Sequence, residues 1–561
     1  RDTGIEVRLR HPLIAAAIRM QLVPGEATET HRNLAELLSG LPDPPASEIA
    51  GHWRAAGERA AELRWRIRAG EAADRRFAHS EGLAEWSRAL ELWDRTASGA
   101  HDDPFALARI HTKVIESAIW SGAEVSAVRR LVERAMVEEV PEQGRAESLL
   151  RAGDLECAHG DEEAGLRLIR EAVAINDRHP PTVEAGHVLE VSALTSASLG
   201  RFEEAMADTA KGMRVAEQVG DVALRRRMLA VAASMSATRG DHDDALRLAS
   251  EARTALPAAD DPGTAIRVAA LETDVLLTTG APAAAVEAAA RAALREADRW
   301  NMSGISVDVT IANLAEAHLR EGDVTAAERL VSPRVPGLSS FELRYTQALN
   351  AAVQLRRGRT EAAIELLQDL ASVGNYSSGA AEIDLDLADA LAWAGRPEDA
   401  IQRLGRAATV LLEPGNPTAA RRLLVGLARA EADLAAIEAA GDDRRRAAHE
   451  RLVRARRSAI PDPLSEATSG REVRGSALLW RAEVARLAHQ DHLDHWVEAA
   501  KEWDRLHRPH DAAYARWRAA QAAARGGQGT LAARLLGRAA ADAREHQPLA
   551  EAIAHTAAEG Q

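Results

Sequence analysis

The chain is 561 residues long, 46% hydrophobic but only 3% aromatic, and a single compact core stops growing near ~250–300 residues, so this length calls for several domains or a repeat. A formal net charge of −15 argues against a surface that grips DNA or RNA through phosphates. The one cysteine, Cys157, excludes an intrachain disulfide and fits a reducing cytoplasm, and with no apolar run near ~18 residues and no charged-then-apolar leader, neither a membrane span nor export is expected.

Residues 1–46 differ from the rest. IEVRLRHPLI at 5–14 predicts a short strand running into a helix, and a second helix covers roughly Glu26 to Ser39. Leu41 to Ala46, with Pro42, Pro44 and Pro45, is a rigid linker. From Ser47 a helical pattern takes over, in SEIAGHWRAAGE (47–58), AAELRWRIRAGEAADRR (60–76) and GLAEWSRALELWDRT (82–96). Trp53, Trp65, Trp86 and Trp93 fall near helical spacing, which inter-repeat packing explains better than ligand stacking. Irregular units at the end of an array are expected, because they cap its core.

Seven glycines follow: Gly160, Gly200, Gly240, Gly280, Gly322, Gly358 and Gly395, at steps of 40, 40, 40, 42, 36 and 37 residues. A period in this range means stacked copies of one small unit. Five residues after each stands Gly165, Ala205, Ala245, Ala285, Ala327, Ala363 or Ala400; seven before stands Gly153, Ala193, Ala233, Thr273, Ala315, Ala351 or Ala388. Small residues on both sides of a turn let two antiparallel helices approach closely, so the unit is a helical hairpin and the array an α-solenoid. The glycine sits where a left-handed backbone ends the first helix. Acidic residues follow it in GRFEEA (200–205), GDHDDA (240–245) and GRPEDA (395–400), where they favour the dipole of the second helix. Pro397 falls at a position whose amide has no helical partner.

After Gly395 the phase loosens. Leu411 to Pro417 and Ile460 to Gly470 carry Pro, Gly or Ser, and the second joins two repeat blocks. Trp480 to Trp503 then forms one hairpin and Tyr514 to Ala543 another, with Gly527 flanked by Ala520 and Ala532 at the same offsets. The expected division is 1–46, 47–460 and 461–561.

Little in the chain points to chemistry. His489, His492 and His495, with Asp491 and Asp494 between them, have spacings that put imidazoles on one helical side, but no second ligand set accompanies them, and a solvated turn is favoured over a metal site. Arg225 to Arg227 and Arg444 to Arg446 read as exposed faces paired with nearby acids rather than phosphate sites. Of 70 basic residues only Lys113, Lys211 and Lys501 are lysine, a bias of GC-rich coding rather than a binding signal. Cys157 has no evident adjacent base, and no Ser-His-Asp arrangement is recognisable. No catalytic residue and no metal ligand is therefore assigned, and the chain is not expected to be an enzyme.

The glycine offsets resemble tetratricopeptide repeats. Twelve residues after the glycines come Ala172, Gly212, Ala252, Ala292 and Ala407, whereas Arg334 and Leu370 break the pattern, and the 40-residue period exceeds the usual ~34. The resemblance implies an all-α, tetratricopeptide-like solenoid. At the ends, residues 8–38 (RLRHPLIAAAIRMQLVPGEATETHRNLAELL) resemble the last part of the winged-helix region in large ATP-dependent LuxR-type transcription regulators, and would be a winged-helix remnant. GHWRAAGE at 51–58 and residues 69–95 are similar to the same family, and 495–553 look like what precedes its helix-turn-helix. That implies a cytoplasmic bacterial signal-transduction ATPase with a nucleotide domain upstream, holding ATP and Mg, and a DNA-binding domain downstream. The chain has no G-x-x-x-x-G-K-[ST] loop and stops before a recognition helix, so it is expected to be a piece of that protein, with no cofactor of its own and DNA contact only through the absent domain.

In tetratricopeptide arrays the first helix of each hairpin lines the concave side. Transferring the family's inward offsets, two, three, six, ten and thirteen residues before the glycine, gives Asp154, His187, Arg227, Ser234, Arg267, Asp274, Glu316, Tyr345, Asp389 and Trp393. Mixed charge with two aromatics suits a peptide or an organic effector better than a polyanion, and the same residues are equally read as solvating an open groove. Two functions are open: a sensor that binds a small-molecule or protein effector and moves the regulator toward an oligomeric state, or a constitutive protein-interaction scaffold with no small-molecule ligand.

Overall fold

A computed structural model describes residues 23–559, apart from 77, 94–104, 122–124, 138–139, 159–161, 200, 255–261, 300–304, 333–340, 373–377, 413–416, 440, 460–461, 466–471 and 491. The described residues form 27 α-helices and no strand. The expected strand at 5–9, and with it nearly half of the winged-helix-like segment, lies outside the described residues. The helix that follows spans Pro24–Ser39, with proline at a first-turn position that needs no amide.

The chain divides into two compact units, Arg1–Arg151 and Ala152–Gln561. In the first, the helices Ala46–Ala55, Arg59–Arg75, His79–Trp93, Ala106–Trp120 and Val125–Val137 pack each on the next. Trp86 is buried with Leu63, Leu90, Ile110 and Val114, and Trp65 with Ile49 and Ala35. Trp53 and Trp93 lie half-buried against the same two clusters, so all four tryptophans serve inter-helix packing. Gly70 is what admits Trp86: a Cβ there would stand 2.4 Å from the indole, closer than any side chain tolerates.

The second unit carries the regular hairpins. Val183–Ser198 pairs with Phe202–Val219, Val222–Arg239 with His242–Thr254, Pro262–Thr278 with Ala283–Arg299, Ile305–Arg320 with Val324–Val331, Phe341–Arg356 with Thr360–Ser372, and Ser378–Trp393 with Pro397–Leu411. Each first helix also packs on the first helix of the next hairpin. Gly240, Gly280, Gly322, Gly358 and Gly395 all adopt φ between 70° and 90°, the left-handed turn that costs a Cβ-bearing residue ~1–2 kcal/mol; Gly160 and Gly200 lie outside the described residues. Seven residues earlier, Ala193, Ala233, Thr273, Ala315, Ala351 and Ala388 are buried, and five later so are Ala205, Ala245, Ala327, Ala363 and Ala400. Small residues at both positions let the paired helices approach closely.

One repeat departs from this phase. After Gly280 the second helix starts three residues on, at Ala283, whereas His242, Val324, Thr360 and Pro397 start two after their glycines. Every later position slips by one, so Val286, Ala290 and Ala293 are buried and Ala292 is exposed. The tetratricopeptide-like α-solenoid is therefore carried by local geometry, repeat by repeat.

Past Gly395 the hairpins continue, two of the three without the glycine. Pro417–Ile437 pairs with Asp442–Ser458, Val473–Leu487 with Leu493–Arg505 and Pro509–Arg525 with Gly529–Asp542, before the last helix, Gln547–Glu559. Left-handed turn positions here fall to Ala439 (φ 45°), His489 (φ 55°), His507 (φ 57°) and Glu545 (φ 65°) as well as Gly527. This is why the glycine period fades while the architecture does not.

Candidate functional site

The first helices of successive hairpins share one face, and their polar side chains meet across repeats. Near its start, Glu190 gathers three partners: His187 Nδ1 at 3.3 Å, Arg227 Nε donating at 3.0 Å, and Arg267 Nη1 at 3.7 Å. Burial alone would raise this carboxyl, but His187 and the charges of Arg267 and Arg227 outweigh it and hold it at about 2. Arg227 also donates to Thr264 Oγ1 at 3.1 Å, tying three consecutive first helices together. Farther on, Ser234 Oγ donates to Asp274 Oδ2 at 3.2 Å. Burial, with the Glu316 carboxylate adding to it, pushes Asp274 up to about 6 against the weaker pull of Ser234 and Arg320.

Glu316 accepts from Arg320 Nε at 2.9 Å and from the Tyr345 hydroxyl at 2.5 Å, while that hydroxyl lies 3.1 Å from Asn313 Oδ1. Asp386 pairs with Arg422, and Asp389 accepts from Arg429 Nη1 at 2.9 Å. Arg422 keeps 50% of its side chain exposed and Asp386 31%, yet burial raises the Asp386 carboxyl and pushes Glu382 beside it up to about 7.

Around Trp393 the same face is filled by the chain itself. The Arg429 guanidinium lies 4.3 Å from the Trp393 ring centre, and Trp517, Tyr514 and His546 surround that ring at 5.1–6.4 Å. Arg486 and Arg518 reach Asp433 at 2.9 and 2.8 Å. Burial would raise Asp433, but these arginines and Arg429 hold it at about 2. Tyr514 donates to the buried Glu483, and burial takes its phenol up to about 12.

Nine of the ten residues picked out by offset thus fall into linked groups: His187, Arg227 and Arg267 on Glu190; Ser234 on Asp274; Glu316 on Tyr345; Asp389 and Trp393 on Arg429. Asp154 is half-buried on the helix Glu142–Ala158. Glu190 and Arg320 stand ten and two residues before Gly200 and Gly322, at the very offsets used, and belong with the set. Counted from the true turn residues, the same offsets also reach Arg429 and Asp433 (from Ala439), Glu483 and Arg486 (from His489), and Tyr514 and Trp517 (from Gly527).

The arginine triplets are not simple exposed faces. Arg225 pairs with Glu251 and Arg446 with Asp443, but Arg226 and Arg445 are buried. Arg226 Nε donates to the Ala252 carbonyl at 2.9 Å, and Arg445 donates to the Ala435 and Leu487 carbonyls at 2.9 Å each. They satisfy helix C-terminal carbonyls that packing has cut off from water. His489 occupies a left-handed turn, and among the described residues no three His, Cys, Asp or Glu gather to hold a metal. Likewise, no described helix is long and apolar enough to cross a membrane.

Helical hairpins stacked through their first helices, with a polar face shared between them, define a tetratricopeptide-like repeat scaffold. No family model and no curated protein matches the chain. Among solved structures it is similar to the APC/C hetero-tetramer Cut9-Hcn1, at 14% identity and a TM-score of 0.47 over 97% of this chain and 94% of that one. It is also similar to a STAND protein with a tetratricopeptide repeat sensor from Pyrococcus horikoshii (13%, TM-score 0.32, 69% and 72%). The human IFIT1 dimer with m7Gppp-AAAA is a third (13%, TM-score 0.37, 70% and 87%).

Proposed function

We propose that the chain is the effector-sensing region of a LuxR-type ATP-dependent transcription regulator, and that the effector binds the polar face of the first helices between His187 and Asp389. The observation that carries the binding role is the row of paired polar side chains, charges of both signs with Tyr345 among them, some buried and some half-open, contributed by six successive hairpins. A ligand with its own donors and acceptors exchanges with these pairs, whereas a polyanion meets Glu190, Asp274, Glu316 and Asp386 along the way. The attribution to a LuxR-type regulator rests on the resemblance at 8–38, 51–58, 69–95 and 495–553, with ATP and Mg held by a separate nucleotide domain, DNA by another, and the whole acting in the bacterial cytoplasm. Binding rather than catalysis is the work assigned to this chain, with a shift toward an oligomer as its output. For that output the effector must prefer one state by a few kcal/mol.

The test is a thermal-shift screen of metabolites and short peptides against the wild type and the Arg267→Ala/Asp274→Ala double variant. A compound that raises the wild-type melting temperature and leaves the double variant unmoved supports the site. Equal shifts in both proteins place binding elsewhere. A partner protein that binds both, with no metabolite shifting either, establishes the scaffold reading in its place.

A further inference from the structure

The second unit closes on itself in part through a polar seam. Helix Val324–Val331 leaves its first-turn amides without intrahelical partners. Its own cap, Asp323, takes the Ala326 amide at 2.9 Å. The Thr325 amide is taken instead by Glu545, 220 residues away, at 2.7 Å, and Thr325 Oγ1 lies 3.0 Å from both oxygens of the same carboxylate. Arg357, from the next hairpin, donates to Thr325 Oγ1 at 2.8 Å and reaches within 3.8 Å of Glu545. A glutamate thus caps a helix that it does not belong to.

Two turn glycines make room for this closure. A Cβ on Gly322 would stand 2.7 Å from Pro509, and one on Gly358 2.8 Å from Gln547. Glu545 itself holds φ 65°, a left-handed backbone that disfavours a residue with a Cβ. On their other side the same C-terminal helices bury Tyr514, Trp517, Leu549 and Ile553 in an aromatic core with Trp496 and Trp503. One side of this element is dry and well packed; the seam is polar, partly open and strained at its central residue. Local opening follows the weaker side.

We propose that Glu545 is a latch. Its release from Thr325 and Arg357 parts the C-terminal helices from the turns at Gly322 and Gly358, while the aromatic core stays packed and serves as the hinge. The latch gives the second unit two states independently of what the polar face binds.

Native-state hydrogen exchange on the whole chain tests it, with the Thr325 amide as reporter. Glu545→Gly removes the carboxylate and also relieves the backbone, so it opens the seam without loosening the fold. The expected result is at least about tenfold faster exchange at Thr325, with the amides of Pro509–Arg525 as protected as before and the melting temperature equal or higher. Arg357→Ala should move Thr325 in the same direction by a smaller factor, and added salt should do so in the wild type because the seam is ionic. Unchanged exchange at Thr325 in Glu545→Gly overturns the proposal. So does a parallel loss of protection along Pro509–Arg525, which would make the seam and the aromatic core one cooperative body.

Discussion

The regular hairpins from Val183 to Leu411 and the C-terminal hairpins from Val473 to Glu559 are built on one plan from different materials. In the regular array the helix contacts rest on alanine: Ala193 with Ala205, Ala233 with Ala245, Ala315 with Ala327, Ala351 with Ala363, Ala388 with Ala400. In the C-terminal block buried alanines such as Ala499, Ala512, Ala520 and Ala532 remain, but Trp496, Trp503, Tyr514 and Trp517 join them, and a glycine is kept where an indole must lie flat, as at Gly475 under Trp503. Alanine contacts add little transfer energy individually, and the array gains stability by repeating nearest-neighbour interfaces. The aromatic block adds four large side chains to such contacts. A repeat that must present a polar face at even spacing is served by the first solution, and a closing element that reaches back to earlier turns by the second.

Removing one large aromatic breaks the comparison most severely. Trp496 is fully buried, and Trp496→Ala leaves a cavity that its neighbours fill only in part, at a cost of about 3–5 kcal/mol. Because repeat arrays lose cooperativity between distant units, calorimetry should show an early transition for the C-terminal block, with most helicity surviving it. A single transition shifted as a whole would mean that the array and the block share their stability. Overpacking an alanine contact comes next. Ala363 is fully buried between helices and its neighbour Ala362 is exposed, so Ala363→Leu should cost about 1–3 kcal/mol and Ala362→Leu almost nothing. Equal denaturation midpoints for the two variants would remove alanine from the role of spacer.

The architecture was legible because it is written in backbone requirements. Gly240, Gly280, Gly322, Gly358 and Gly395 stand at left-handed turns, where their lack of a Cβ is a local fact that composition records. Beyond Gly395 the same turn is taken by Ala439 and His489, exposed residues that carry a Cβ, so no glycine marks the turn in the sequence. His489, in a stretch read as a solvated turn rather than a metal site, stands at such a turn. The polar face was half legible for the same reason: offsets from a glycine find Arg227, Asp274 and Glu316, and cannot find Arg429 or Asp433 until Ala439 is known to be the turn. Arg226 and Arg445 were opaque for another reason. Burial of an arginine depends on which carbonyls lie stranded nearby, here Ala252, Ala435 and Leu487 from other helices.

The smallest expected effect sharpens what separates the polar face from the aromatic block. Asp274 is pushed up to about 6 by burial and by Glu316, so the folded chain holds its proton more tightly than the unfolded chain, where the carboxyl titrates near 3.8. A raised carboxyl costs nothing while both states are protonated. The cost grows as pH climbs from about 4 to 6 and is complete above that. Asp274→Asn keeps an oxygen to accept from Ser234 and carries no charge against Glu316. The variant should therefore be more stable than the wild type by about 1–2 kcal/mol at pH 8, after discounting for its half-open position, with the gain shrinking as pH falls toward 5. Asp511, raised to about 6 by burial, titrates alike in both proteins and cancels in the difference, whereas Glu382, raised to about 7 in part by the Asp274 charge, falls with that charge and adds to the gain. His510 also cancels: burial lowers it to about 4, and it destabilises both proteins as pH drops below its unfolded value. Paired denaturation curves from pH 5 to 8 read that difference directly. A gain that does not change with pH would show that Asp274 is ionised throughout and that the wall around it is open to water, leaving the polar face a solvated surface rather than a site.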